Sequence, residues 1–238
     1  DTLVAWQTKH GRHDLPWQKN RTAYRVWLSE IMLQQTQVAT VLERYVTFLE
    51  KFPTVEDLAA AHLDEVLAQW SGLGYYSRAR NLHACAQAVM TKFDGRFPES
   101  VDQLVMLPGI GKSTAAAIAV FAYGRRAAIL DGNVKRVLTR IFGYDGDLTK
   151  AANLKVFWDF AQTLLPHQSR KLVPYTQGLM DFGATACKPS QPICQKHESE
   201  FLCPFQQHCV AYQQNRIADF PIKRKAVRVR DQEMFWLI

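Results

Sequence analysis

One short segment, Leu107–Ser113, constrains the fold of this 238-residue chain more than any other. It reads Leu-Pro-Gly-Ile-Gly-Lys-Ser, and the residue pattern on both sides of it is helical. Ser100–Leu107 carries apolar residues at the spacing of one helical face, and Ser113–Tyr123 is an alanine-rich stretch without charge. The segment is therefore predicted to form a tight hairpin between two helices.

The glycines of this hairpin leave two interpretations open. Gly109 and Gly111 would expose backbone N–H groups at the start of the second helix, where a phosphate could approach and the helix dipole favours negative charge. Because Pro-Gly turns are common, an ordinary connection between helices explains the glycines equally well. A second helix start, carrying Asp131, follows 20 residues after Gly111 and favours a site that acts on nucleic acid.

The rest of the chain also has helical apolar spacing, which predicts an all-α fold. The predicted helices are Leu3–His10, Tyr24–Leu33, Thr36–Phe52, Thr54–Ala60, Asp64–Trp70, Ser77–Phe93, Ser100–Leu107, Ser113–Tyr123, Asp131–Phe142, Ala151–Leu165 and Leu172–Ala186. The helical pattern ends in the tail from Arg216, and Met234–Ile238 has the pattern of a strand.

The charge of the chain indicates a class of partner. A net charge of +7 and a pI near 9.2 suit a polyanionic partner. No apolar run reaches the ~18 residues of a membrane helix.

Two carboxylates have contrasting sequence environments. Glu30 is the only charged residue from Val26 to Leu42, so burial is expected to raise its pKa and keep a proton available. Asp131 begins a predicted helix, where N–H groups and the helix dipole favour the ionised form. Such a pair is typical of acid/base catalysis. The structural alternatives are a bonded, partly buried glutamate and a simple helix N-cap.

Four of the five cysteines crowd into one loop-like stretch. Cys187, Cys194, Cys203 and Cys209 could form two disulfides, but a basic chain without a visible targeting signal points to a reducing compartment and hence to a metal site. The spacing alone slightly favours zinc over an iron–sulfur cluster, since both accept four cysteines. The fifth, Cys85, is predicted to be a small buried thiol.

Several strings of the sequence resemble the helix-hairpin-helix DNA glycosylases of the endonuclease III superfamily, and most closely their adenine-DNA glycosylase (MutY-type) branch. The matches extend from about Trp6 to Cys209. They are Leu15-Pro16-Trp17, Trp27–Val38 (WLSEIMLQQTQV), Gly72–Leu82 (GLGYYSRARNL), the hairpin, and Ile129–Arg136 (ILDGNVKR).

The resemblance implies a reaction and assigns roles to residues. Adenine mispaired with 8-oxoguanine or guanine in double-stranded DNA would be flipped out and its N-glycosidic bond hydrolysed. Glu30 would protonate the base and later act on water, Asp131 would stabilise the sugar cation electrostatically or covalently, and Asn133 would position the site. DNA-binding residues would be Gln34, Gln35, Thr36, Tyr75, Gly109, Gly111, Lys112 and Ser113. Residues bordering the adenine pocket would be Trp17, Gln18 and Leu33.

The resemblance also implies a [4Fe–4S] cluster on the four late cysteines. The family spacing is Cys-x6-Cys-x2-Cys-x5-Cys, whereas here eight residues separate Cys194 from Cys203. We interpret Gln195–Leu202 as containing a six-residue insertion that lengthens a loop. A second departure is His13-Asp14, which stands where relatives can have a basic residue.

The residue after Lys112 separates two kinds of glycosylase. Strand-nicking members of the superfamily have a lysine at the position of Ser113, and that amine forms a Schiff base with the sugar. Serine cannot, so base removal without efficient strand cleavage is expected, and Lys112 should point elsewhere, toward phosphate. The alternatives are an endonuclease III-like glycosylase/lyase for oxidised pyrimidines and a non-catalytic, DNA-binding iron–sulfur protein.

The resemblance implies a two-lobed architecture. Residues 21–130 would form a six-helix barrel lobe, residues 1–20 and 131–210 a cluster lobe, and residues 211–238 a linker and the start of a truncated C-terminal domain. The DNA-binding cleft would lie between the lobes. The protein is expected to be a monomer, cytoplasmic in a bacterium or nuclear in a eukaryote.

Overall fold

The computed structural model describes residues 1–195 and 202–222, and within these ranges the protein is helical with no strand. The α-helices are α1 (Thr2–His10), α2 (Ala23–Met32), α3 (Val38–Lys51), α4 (Val55–Ala60), α5 (Leu63–Gln69), α6 (Ser77–Phe93), α7 (Val101–Leu104), α8 (Lys112–Tyr123), α9 (Gly132–Phe142), α10 (Ala151–Thr163), α11 (Ser169–Asp181) and α12 (Val210–Gln213). None of these helices is long and apolar enough to cross a membrane. The all-α prediction is confirmed for the described residues, whereas the strand predicted at Met234–Ile238 lies outside them.

Most helix boundaries differ from the predictions by one or two residues, and the differences at α7, α3 and α11 have a visible structural cause. α7 is a single short turn rather than Ser100–Leu107, because the backbone N–H of Leu107 bonds to Leu104 three residues back and tightens the chain before the hairpin. α3 begins at Val38 rather than Thr36, since Gln35, in the turn after α2, has a left-handed backbone that delays the start of the next helix. α11 begins before Leu172, and the predicted end of that helix is a π-helical turn, Phe182–Ala186.

Helix α8 lies at the centre of the fold. Every residue from Thr114 to Val120 is buried, and four of these residues are alanines, whose short side chains allow neighbouring helices to approach closely. α2 packs along α8 and contributes Trp27 and Leu28, which are completely buried. Burial of two large apolar side chains stabilises this contact by roughly 3–6 kcal/mol. The packing fixes the last turn of α2, which carries Glu30.

The N-terminal segment packs against a helix from the later part of the chain. α1 lies on α11 at Gly178, where a Cβ atom would stand only 3.1 Å from the Cβ of Gln7. Beyond α1, the Arg12 guanidinium pairs with the fully buried carboxylate of Asp181 at 2.7 and 2.8 Å, and the Arg12 backbone N–H donates to it at 3.1 Å. The first residues are thereby joined to the second half of the chain. The residue limits of the two lobes remain a prediction.

Candidate active site

A cavity of about 620 Å³ lies between the end of α2, the start of α8, the start of α9 and the side of α11. Its lining contains ten of the residues singled out in the sequence: Trp17, Gln18, Glu30, Leu33, Gln34, Gln35, Thr36, Ser113, Asp131 and Asn133. Four other predicted residues, Tyr75, Gly109, Gly111 and Lys112, do not line it. Residues far apart in sequence therefore meet around one enclosed space that contains both carboxylates.

Glu30 faces this cavity from the last turn of α2. Its neighbours on the helix, including Val26 and Leu33, also line the cavity and are largely apolar. Burial, and to a smaller extent the negative charge of Asp131, raises the pKa of Glu30 to about 8. The predicted upward shift is confirmed, and the carboxyl group keeps its proton at neutral pH.

Asp131 is the N-cap of α9, as predicted. Its Oδ1 accepts a hydrogen bond from the backbone N–H of Val134 at 2.7 Å. The expected preference for the ionised form is wrong in direction, because burial raises the pKa of Asp131 above its ordinary value. The N–H groups of Val134 and Asn133 and the charge of Arg136 lower it again without reversing the effect. Of the two carboxyl groups, only Glu30 is raised to about 8.

Asn133 lies one helical turn from a buried arginine that holds its amide in place. Arg136 Nη2 donates to Asn133 Oδ1 at 2.8 Å and to the carbonyl of Gly183 at 2.7 Å, while its Nε donates to the carbonyl of Cys187 at 2.9 Å. A Cβ atom on Gly183 would stand 2.7 Å from the Cβ of Asn133. The start of α9 and the chain leading to the first late cysteine are thus packed directly together.

Ser113 and Lys112 point in different directions from the start of α8. Ser113 lines the cavity, and its Oγ accepts a hydrogen bond from the backbone N–H of Leu130, the residue before Asp131. The Lys112 ammonium lies 4.3 Å from the centre of the Trp158 ring, a cation–π contact. Lys112 therefore points away from the cavity, as expected, although the structure places it over an aromatic ring. Its contact with phosphate remains a prediction.

The floor of the cavity has an unusual polar group. Both polar atoms of the Gln18 amide are buried without a hydrogen-bond partner among the described residues. The neighbouring Trp17 is buried and makes an edge-to-face contact with Tyr45 at 5.6 Å between ring centres. An unpaired buried amide is costly, so a hydrogen bond to either atom would be favourable if a small rearrangement exposed it to the cavity.

The two glycines of the hairpin have different surroundings. Gly109 has a φ of +72°, and a Cβ atom there would stand 2.8 Å from the Cβ of Asn81. Gly111 has an extended backbone as the N-cap of α8, and a Cβ atom there would meet nothing within 4 Å. The open space at Gly111 is compatible with the predicted phosphate contact.

Other residues that line the cavity were not predicted as site residues, among them Arg12, Arg21, Arg136, Gln177 and Met180. Arg21 donates to the amide oxygen of Gln177 at 3.1 Å, and the same amide donates to Asp181 at 3.2 Å. The four-residue spacing of Gln177 and Asp181 could have indicated a buried polar face on this helix. Nothing in the sequence shows that this face meets α1 and α2.

All four late cysteines line a second, much smaller cavity of about 20 Å³, and their thiols are free. Arg140 ties the loop to α9, because its guanidinium donates to the carbonyls of Lys188 at 2.6 Å and Pro189 at 3.1 Å and lies 3.5 Å from the Cys187 sulfur. Among the described residues, no three histidine, cysteine or acidic side chains are arranged to hold a single metal ion. Four thiols around one cavity do fit a group that takes four thiolate ligands. The insertion, with Lys196, falls within the undescribed residues 196–201.

Comparison with known proteins assigns the chain to a family. Residues 28–162 match the family model of the HhH-GPD superfamily of base excision DNA repair proteins. The chain belongs to this superfamily. The matched range includes Glu30, the hairpin and Asp131, so the HhH-GPD region contains both carboxylates of the cavity.

The relatives named adenine DNA glycosylase match far beyond the HhH-GPD region. The protein of that name from Buchnera aphidicola subsp. Acyrthosiphon pisum is 40% identical over 99% of the chain, which covers 65% of the relative. The rat protein of that name is 41% identical over 92% of the chain, covering 43% of the relative. The chain therefore spans about two thirds of one relative and under half of the other. The resemblance to the adenine-DNA glycosylase branch is confirmed.

A solved structure supports the fold. A thermostable thymine-DNA glycosylase is 32% identical, with a TM-score of 0.78 over 90% of this chain and 94% of that one. The predicted helix-hairpin-helix glycosylase fold is thus confirmed.

Proposed function

We propose that the protein is a monofunctional DNA glycosylase of base excision repair, which hydrolyses the N-glycosidic bond of adenine mispaired with 8-oxoguanine or guanine. The observation that carries the proposal is the meeting of Glu30 and Asp131 in one cavity. A volume of about 620 Å³ accommodates a flipped nucleotide, and such a base must leave the stack before the reaction. The relatives named adenine DNA glycosylase support adenine as the base.

Glu30 is the general acid of this reaction. Its pKa of about 8 keeps the carboxyl group protonated at neutral pH, ready to donate to a ring nitrogen of adenine. As the bond between the sugar and the base breaks, the electron pair leaves with the protonated base. The deoxyribose is left as an oxocarbenium ion beside Asp131, whose carboxylate stabilises the positive charge. Glu30, now ionised, takes a proton from water as the water oxygen bonds to the sugar, and is restored.

Specificity for the base comes from the floor of the cavity. The unpaired Gln18 amide offers one donor and one acceptor, the complement that an adenine edge requires, and Trp17 and Leu33 provide apolar walls. Asn133, held by Arg136, orients the segment that carries Asp131. Among the described lining residues there is no lysine, which supports hydrolysis without Schiff-base strand cleavage.

The four cysteines hold a [4Fe–4S] cluster in this proposal. When bound, the cluster cross-links Cys187, Cys194, Cys203 and Cys209 and so fixes the loop that carries the exposed Lys188. Gly109, Gly111 and Lys112 bind backbone phosphate, Gln34, Gln35 and Tyr75 occupy the space left by the flipped base, and Thr36 belongs to the same DNA-binding segment.

A glycosylase assay tests the proposal with duplexes that carry adenine opposite 8-oxoguanine, guanine or thymine. The wild-type protein is expected to release adenine from the first two and leave the strand intact. Glu30→Gln should reduce release by about 10²–10⁴-fold while binding to mispaired DNA persists. If the wild type released no adenine, the proposal would be wrong. Release of oxidised pyrimidines with strand nicking would favour a glycosylase/lyase.

A further inference from the structure

Arg78, near the start of α6, connects the segment 34–36, which lines the cavity, to the loop of residues 73–75. Its Nη1 donates to the carbonyls of Ile31 at 2.7 Å and Met32 at 3.0 Å, at the end of α2. Its Nη2 donates to Thr36 Oγ1 at 3.0 Å and to the carbonyl of Leu73 at 2.8 Å. One guanidinium group therefore bonds to the chain on both sides of Gln34-Gln35 and to the loop that precedes Tyr75.

Each of these loops has an exposed side chain on an unfavourable backbone. Gln35 has a φ of +55° and Tyr75 a φ of +45°, a left-handed conformation that non-glycine residues seldom adopt. Tyr75 is 62% exposed. Such backbone conformations persist only where contacts with the surrounding structure hold them in place. The hydrogen bonds from Arg78 supply that restraint, and they act on both loops at once.

Aromatic rings and the hairpin complete the surroundings of Arg78. Its guanidinium lies 5.3 Å from the centre of the Trp70 ring and 5.6 Å from that of Tyr75. Arg78 also lines a cavity of about 40 Å³ together with Pro108 and Gly109 of the hairpin, and its Nε is buried without a hydrogen-bond partner among the described residues. Arg78 thus lies between the three segments assigned to DNA: residues 34–36, Tyr75 and the hairpin.

We propose that Arg78 is a positioning residue that holds residues 34–36 and 73–75 as one rigid unit for entry into DNA. The proposal rests on the proposed function, since it assumes that these loops fill the space of a flipped base. Loops that are already fixed lose no further conformational freedom when they enter the duplex. Arg78 acts on extrusion of the base and not on cleavage of the glycosidic bond.

The variant Arg78→Lys tests this role, because it keeps the positive charge and loses the planar fork that reaches several acceptors. The matched control is Arg80→Lys, on the same helix, where the guanidinium is exposed and makes no hydrogen bond within the described residues. Hydrogen exchange of the free proteins gives a readout independent of activity. Amides of residues 33–37 and 72–76 should exchange faster in Arg78→Lys, in both loops together, and not in the control. Unchanged exchange in either loop would overturn the proposal.

Kinetics on two duplexes separate base extrusion from bond cleavage. One duplex holds adenine opposite 8-oxoguanine between paired flanks, and the other has mismatched flanks that already unstack the adenine. Arg78→Lys should slow single-turnover release about tenfold or more on the first duplex and about threefold or less on the second. An equal reduction of the release rate on both duplexes, or no reduction, would also overturn the positioning role of Arg78. If the wild type released no adenine while the exchange result held, the proposed function would fail and the loop restraint would stand.

Discussion

At the scale of single residues, the environment of Glu30 predicts how the reaction depends on pH. The general acid must be protonated, and its pKa is about 8. Base release should therefore be nearly constant from pH 6 to 7.5 and fall about tenfold per pH unit above 8. Single-turnover rates on a duplex with adenine opposite 8-oxoguanine measure this profile, with the duplex melting temperature as a control at each pH. A single-turnover rate that stayed constant up to pH 10 would contradict the role of Glu30 as the proton donor.

Ser113 offers a test of what separates hydrolysis of the glycosidic bond from Schiff-base chemistry at the sugar. Its side chain lines the cavity beside Asp131, so a lysine there would place an amine next to the sugar. Ser113→Lys is expected to form a Schiff base that borohydride traps as a covalent protein–DNA adduct, clearly above the wild-type level. Ser113→Met, of similar length without the amine, is the control, since both variants lose the bond to Leu130. Equal trapping in the two variants would show that the amine does not reach the sugar.

At the scale of elements, the cysteine loop predicts a measurable metal content. If four thiolates hold a [4Fe–4S] cluster, anaerobically purified protein should contain about four irons per chain and be brown. Cys203→Ala should lose iron and DNA affinity together, because the cluster orders this loop. Cys85→Ala is the matched control: Cys85 is buried in α6 and does not line the small cavity, so iron should be unchanged. One zinc and no iron in the wild type would contradict the cluster.

The sequence was a good guide to elements wherever local patterning decides the structure. Apolar spacing predicted Ser77–Phe93 with both ends correct, and Thr54 with Asp57 forms a capping box at the predicted start of Thr54–Ala60. It failed where nearby tertiary contacts decide. The start of α3 at Val38 rather than Thr36 follows the left-handed backbone of Gln35 and the hydrogen bond from Arg78 to Thr36, and no pattern in residues 33–38 contains that information.

The same limit applies to the candidate site. Glu30 and Asp131 were predicted because each lies in a distinctive sequence string. Arg12 and Gln177 were not, since they line the cavity only because α1 and α11 pack together. The pKa of Asp131 was misjudged for a related reason. Local N-capping was visible in the sequence, but the extent of burial, which outweighs it, depends on the whole fold.

At the scale of the whole molecule, the ion pair between Arg12 and Asp181 predicts a large effect on stability. Asp181 is fully buried, so its removal would leave the Arg12 guanidinium and backbone N–H without their acceptor. Asp181→Ala is expected to lower the free energy of unfolding by about 3–5 kcal/mol, as measured by urea denaturation. The control Asp159→Ala, which breaks an exposed pair with Lys155, should lower it by less than about 1 kcal/mol. Similar losses in both variants would show that the buried pair contributes little.

That pairing also sets an order of events during synthesis. Arg12 leaves the ribosome early, but its partner is 169 residues further along the chain. α2 and α7 pack against α8 within the first 123 residues, whereas the N-terminal segment must wait for α11 before it can dock. Long-range closures of this kind form late. The cavity lined by Arg12 and Gln177 is therefore completed as one of the last steps of assembly, and a nascent chain stalled before residue 177 would carry Glu30 and Asp131 without an enclosed site to use them.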